Sequence, residues 1–81
     1  MLQVIIRKRT GTIYEGSAIS ISSSNPRGPF DILSKHTNFV SVISREVRIA
    51  RYAGDRTPMV IPLQRGILRV HDDRVEVFVD Y

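Results

Sequence analysis

The chain contains no cysteine, which removes a disulfide framework, a thiolate zinc site and a thiol nucleophile together. Histidine occurs only at His36 and His71, too few for a convincing metal site, and neither a metal nor a cofactor is expected. Long apolar runs are missing as well. The longest are three residues, as in Val4 to Ile6, whereas a membrane span needs roughly 20. Arg7, Lys8 and Arg9 follow a short apolar stretch, the reverse of a secretory signal's order, so a cytoplasmic or organellar-matrix location is expected. The 5 glycines are scattered and none belongs to a Gly-Lys-Ser or Gly-Lys-Thr sequence, which leaves no phosphate loop. There is no Gly-x-Ser-x-Gly elbow to give the serines and histidines a catalytic setting. No enzyme activity of the chain's own is expected.

What is present is one small domain, residues 1–81, too short for a second core. At this size folding buries about 60 to 65% of the surface of the unfolded chain. With 42% hydrophobic and 25% charged residues, the composition is that of a globular protein. Twelve basic residues outweigh eight acidic ones, for a net charge of +4. That charge is spread along the chain, and the 3 tyrosines and 3 phenylalanines form no pattern. Nucleic-acid-binding sheets pair basic charge with exposed aromatics for stacking, so no nucleic-acid partner is expected. Phe30, Phe39 and Phe78 read instead as core or loop anchors.

Isoleucine and valine dominate the apolar set, and β-branched side chains fit a pleated sheet better than a helix. Several windows alternate with period two: Val47 and Ile49 among Glu46, Arg48 and Ala50, then Met59, Ile61 and Leu63 among Val60, Pro62 and Gln64, then Val75, Val77 and Val79 among Arg74, Glu76, Phe78 and Asp80. Turn residues separate them. Thr10-Gly11 ends a strand at about 2 to 8, and Glu15-Gly16 punctuates a second run. Ala53 to Arg56 joins about 45 to 52 with 57 to 64, and His71 to Arg74 joins about 67 to 70 with 75 to 79. Pro62 places its strand at an edge or a bulge. Asp72 and Asp73 read as a solvated turn. The segment Ser22 to Pro29 reads as a loop, and Ser34 to Asn38 is the one place for a helical turn. The expected fold is all-β, a small two-sheet sandwich of about eight to ten short strands, because a single flat sheet would leave one apolar face wet.

The most informative stretch runs from Asn25 to Phe39. Pro26 and Pro29 stiffen it, Gly28 permits a positive φ, and Phe30, Ile32 and Leu33 are expected to tack it to the core. A held loop of this kind is either a contact surface or a crossover between sheets.

Tyr14-Glu15-Gly16-Ser17-Ala18, Gly28-x-Phe30-x-Ile32-Leu33-x-x-His36, Val47-Arg48-Ile49, Gly66-Ile67-Leu68-Arg69-Val70 and Arg74-Val75-Glu76-Val77 follow one another in an order and spacing that resembles the N-terminal β-sandwich domain of subunit epsilon of F-type ATP synthases, the delta subunit in mitochondrial naming. The likeness covers about residues 2 to 80. It implies a non-catalytic rotor subunit at the foot of the central stalk that couples subunit gamma to the membrane c-ring, peripheral on the cytoplasmic face and with no inserted segment. The family's ring-contact loop falls on Arg27, Gly28, Pro29, Phe30 and Asp31 and continues to His36. Here Pro29 stands for the family's acid, Asp31 for a glycine, and Ser34-Lys35 for a Pro-Gly pair, so negative charge moves two positions. Family members usually continue into a C-terminal helical hairpin that senses nucleotide. The sequence ends at Tyr81, and the resemblance therefore implies a sandwich-only coupling element. The alternative is a stand-alone sandwich module for an acidic protein or nucleic acid.

Overall fold

A computed structural model describes Met1–Asp80; Tyr81, the last residue of the expected domain, lies outside the described residues. Seven strands account for the fold: β1 (Leu2–Lys8), β2 (Gly11–Ala18), β3 (Ser20–Asn25), β4 (Gly28–Leu33), β5 (Phe39–Ala50), β6 (Met59–His71) and β7 (Arg74–Asp80). They form one continuous sheet in the order β2-β1-β7-β6-β5-β3-β4. All neighbours are antiparallel except β1 and β7. The buried apolar set contains six isoleucines, six valines, three leucines and one alanine, so the residues that favour strands are also those that fill the interior.

One sheet becomes a sandwich because its long strands turn a corner. β6 has 13 residues, about 40 Å if straight at roughly 3.3 Å per residue, yet the longest dimension of the molecule is 29 Å. The bend is localised by register. Ile43 pairs with Gly66 and Arg45 with Leu63, so β6 advances three residues while β5 advances two. This bulge shifts the inward phase of β6: Ile61 and Leu63 are buried before it, Leu68 and Val70 after it. A bulge adds local twist and bend. One layer then holds β2, β1, β7, the second half of β6 and the first half of β5. The other holds the first half of β6, the second half of β5, β3 and β4. Counting the bent strands as halves gives nine segments, which is how seven strands supply the layers expected from eight to ten.

A second irregularity lies beside the first. Ser22 pairs with Arg48 and Ser24 with Ser44, so β5 carries two extra residues opposite Ser23, and Arg45 takes a left-handed φ of 76°. Ser23 is the buried polar residue of the described chain, and its hydroxyl donates to the Glu46 carbonyl at 2.7 Å. That bond satisfies a backbone acceptor that the bulge takes out of the ladder.

Several boundaries differ from those expected. Ser22 to Pro29 is a strand, a tight turn and a strand: Ser22 and Ser24 pair on both sides, with β4 and β5, so tertiary pairing overrides the serine-rich local preference. Glu15-Gly16 does not interrupt β2, whose irregularity falls between Tyr14 and Thr12 opposite Ile6 and Arg7. The windows at 57 to 64 and 67 to 70 are one strand around the corner. Ser34 to Asn38 forms no helix; Lys35 takes φ 63° and the His36 amide donates to the Leu33 carbonyl at 3.2 Å. Pro62 lies where β6 has β5 on one side only, since β7 pairs from Arg65 onward, as its missing N–H requires.

Candidate partner-binding surfaces

The β3–β4 hairpin carries most of the expected contact residues. Asn25 pairs with Gly28 across a two-residue turn of Pro26 and Arg27, and the Asn25 side-chain oxygen accepts from the Arg27 amide at 2.9 Å. The same side chain donates to the Ser41 hydroxyl at 3.1 Å, tying the turn to β5. Gly28 has φ 122°, a conformation L side chains rarely adopt. Arg27 is thus presented at a rigid tip. Along β4, Phe30 and Ile32 turn inward while Pro29, Asp31 and Leu33 are exposed. Leu33 is therefore not a core anchor; Ile32 is fully buried and Phe30 half-buried. The Ser22 hydroxyl donates to Asp31 at 2.6 Å.

His36 is not beside Arg27. The six residues of β4 separate the tip from the 34–38 loop by about 17 Å at strand rise. The expected set is a strip along an edge strand, with Arg27 at one end and His36 at the other. At the His36 end the Phe30 and Phe39 rings meet edge to face at 5.5 Å and the His36 and Phe39 rings at 5.7 Å. Asp73 locks this end: its carboxylate accepts from the Lys35 amide at 2.6 Å and the Ser34 hydroxyl at 2.9 Å, and its carbonyl accepts from the Gln3 amide at 2.8 Å. The turn at Asp72 and Asp73, with φ 49° and 61°, is the hairpin tip its sequence indicates. Asp73 is not an idle solvated residue, however. The hydrogen bond from the Lys35 amide, followed by that from the Ser34 hydroxyl, holds its carboxyl below the ordinary 3.8. Asp55 plays the same part in the β5–β6 loop. It accepts from the Arg51 amide at 3.1 Å and the Thr57 amide at 3.0 Å, and chiefly through the Arg51 amide its carboxyl is likewise lowered.

The two outer faces differ in character. On the layer containing β7, Val42 pairs with Ile67 and Ile67 with Phe78. These three are 58%, 52% and 54% exposed, an apolar row across three neighbouring strands, with Val40 beside it. Arg65, Asp80 and Arg9 edge the groove it forms. The opposite layer shows Asp31, Ser22 and Arg48 in register, with Arg48 paired to Glu46 at 3.1 Å. Phe78 is thus an exposed surface residue and not an anchor. Its sequence signal was its position opposite Val77 and Val79 in the alternation. The row itself was hidden because it depends on the register of three strands. Arg45, Arg48 and Arg51 form no stripe: the bulge redirects the first, and the others pair with Glu46 and Asp55.

The description of the ATP synthase delta/epsilon chain β-sandwich domain matches the sequence over residues 1–81. The chain belongs to that family. A chain in the cryo-EM structure of the Tetrahymena thermophila mitochondrial ATP synthase central stalk and c-ring superposes on this delta/epsilon-type sandwich with a TM-score of 0.81 at 16% identity, covering 99% of this chain and 63% of its own. A chain in the Euglena gracilis mitochondrial ATP synthase structure, comprising OSCP, F1 and c-ring in rotational state 1, gives 0.84 at 15% identity, with 96% and 49% covered. At such identities the likeness is one of fold. The delta/epsilon-type sandwich thus spans 63% and 49% of the length of these relatives. No curated protein matches its sequence. Among the described residues no helix is long and apolar enough to cross a membrane.

Proposed function

We propose that the chain is a non-catalytic coupling element of a rotary ATP synthase, binding subunit gamma through the outer face of Val42, Ile67 and Phe78 and the c-ring through the β4 strip. Torque would pass through it as shape and interface area, with no bond made or broken on its own residues. The observation that carries this reading, within the family, is the asymmetry of the outer faces. Exposed apolar patches rimmed by charge mark contact sites, and this one lies on regular strands, which hold a contact geometry better than a mobile loop does. The β4 strip adds a second, polar surface: Arg27 on a stiff turn, Pro29 and Asp31 outward, Phe30 behind them in support, His36 at the far end. The protein would then be peripheral to the membrane, held there by its partners on the cytoplasmic face.

The experiment is co-expression with gamma and c subunits followed by detergent extraction and affinity purification through this chain. Recovery of both partners is expected. Phe78→Arg should release gamma, and Asp31→Lys should weaken retention of the ring while leaving gamma bound. Failure of the wild-type chain to retain either partner, with the domain folded, would reject the proposal.

A further inference from the structure

A cavity of about 900 Å³ lies at the corner of the molecule, between the β3–β4 turn and the two bulges. Its wall includes Arg27, Arg45, Arg65, Ser24 and Ser44, over a floor that includes Val42 and Ile43. No carboxylate of the described residues lines it. Other grooves on the surface do carry acids, Glu15 and Glu76 in one, Asp80 in two and Glu46 in another. We propose that this cavity binds a phosphate group.

Three features of the backbone bring the cations together. Arg27 stands on the turn braced by Asn25, which holds it at the cavity mouth. Arg45 reaches the cavity from the bulge, at a left-handed φ of 76° that a non-glycine residue seldom adopts. Bulges re-aim side chains and gather at functional sites, and strained backbone that the surroundings enforce is a pointer to function. Arg65 arrives from the corner of β6. Between them Ser24 and Ser44 are direct cross-strand partners, close enough for both hydroxyls to reach one oxyanion.

The charge arithmetic favours an anionic ligand. Among the described residues Arg27 and Arg45 have no carboxylate partner, and Arg65 has only an exposed pair with Asp80 at 3.2 Å, an interaction weak enough to be exchanged. Three guanidiniums around one volume repel each other until an anion enters. Their planar forks match the oxygens of a phosphate, and the hydroxyls donate to the remaining ones. The shared chemistry is a phosphate mono- or diester, supplied either by a free phosphate compound or by a lipid headgroup. Val42 of the apolar row lies in its floor, Arg65 also edges the groove of that row, and Arg27 also belongs to the strip proposed for the ring, whereas Arg45, Ser24 and Ser44 belong to neither surface, so Arg45→Gly tests the site separately from both contacts.

The test uses the full chain with two probes, inorganic phosphate followed by NMR titration, and sedimentation with phosphatidylglycerol or phosphatidylcholine vesicles. Arg45→Gly removes the side chain while glycine accepts the positive φ, so folding is retained. Arg27→Gln removes the second charge. Arg56→Gln removes an equal charge elsewhere. Saturable phosphate binding weakened about tenfold by each of the first two variants and unchanged by the third assigns a free phosphate ligand. Binding to phosphatidylglycerol vesicles alone, with the same variant pattern, assigns a headgroup. Loss of binding in Arg56→Gln to the same extent as in Arg45→Gly would reduce the effect to net charge and overturn the site. Absence of binding to both probes would overturn it too.

Discussion

Single side chains at the corner carry more of the fold than their size suggests. Gly66 is inward-facing where β6 passes β7, and a methyl group there would overlap the Phe78 carbonyl oxygen. Because that oxygen belongs to a paired strand, it has little room to yield. Gly66→Ala is expected to cost about 1–3 kcal/mol, as overpacking does, read from the midpoint of chemical denaturation. Ser23 is the complementary case. Ser23→Ala would leave the Glu46 carbonyl without the bond at 2.7 Å in a buried setting, at about 1–3 kcal/mol. An unchanged midpoint would show that water reaches the bulge. Phe30 has a smaller share than a core phenylalanine. Its ring is half-buried against Phe39, so Phe30→Ala should cost about 2 kcal/mol, roughly half of the 3–5 typical for full burial. The Phe30 role is the one the sequence indicates; the other two are not written in local sequence alone. Gly66 reads as a strand glycine and Ser23 as one of three loop serines until the register puts each against a particular carbonyl.

At the scale of elements, alternation and turn chemistry made β1, β7 and the His71–Arg74 hairpin legible, because those signals act over two to four residues. The 22–29 segment was opaque for the opposite reason. Its serines and prolines favour a loop locally, and only pairing with β5 and β4 makes strands of them. The corner in β6 was opaque too, since a one-residue phase shift between Leu63 and Gly66 looks in sequence like two separate strands. The arrangement of the six residues proposed for ring contact was opaque as well, because a loop reading places Arg27 and His36 together and a strand reading places them at opposite ends. Connections between elements are fastened by two aspartates, and this makes a pH prediction. Asp73 joins the 34–38 loop to the β6–β7 turn, and Asp55 closes the β5–β6 loop. Both carboxyls titrate below 3.8 in the folded protein, so the folded state binds fewer protons than the unfolded one in acid. Their contribution is complete above the unfolded value and is lost as pH falls from about 4 through the lowered folded values. Thermal midpoints should be level from neutral pH to about 5 and then fall. Asp73→Asn should lower the neutral plateau and flatten the acid limb. An acid limb as steep in the variant as in the parent would assign acid sensitivity to other groups.

For the whole molecule, folding and the proposed binding of gamma draw on opposite sides of the same strands. β5, β6 and β7 point Ile43, Leu68 and Val77 inward and Val42, Ile67 and Phe78 outward, so the register that packs the core also aligns the outer row. Rearranging that row by moving a strand would expose the core, which makes the face a rigid one. It can nevertheless be altered chemically without unfolding, because its side chains are about half exposed. Replacing Ile67 and Phe78 together by threonine keeps strand propensity and removes the apolar surface. Surface changes of this kind usually stay within about 0.5 kcal/mol per site, so the denaturation midpoint should move little. Binding to gamma, measured by calorimetry, should fall at least about tenfold if the aromatic is an anchor of the contact. Val60→Thr on the opposite face serves as the control and should leave affinity as it was. Equal affinity in the double variant, with an unchanged fold, would mean that gamma is held elsewhere and that the apolar row serves another partner.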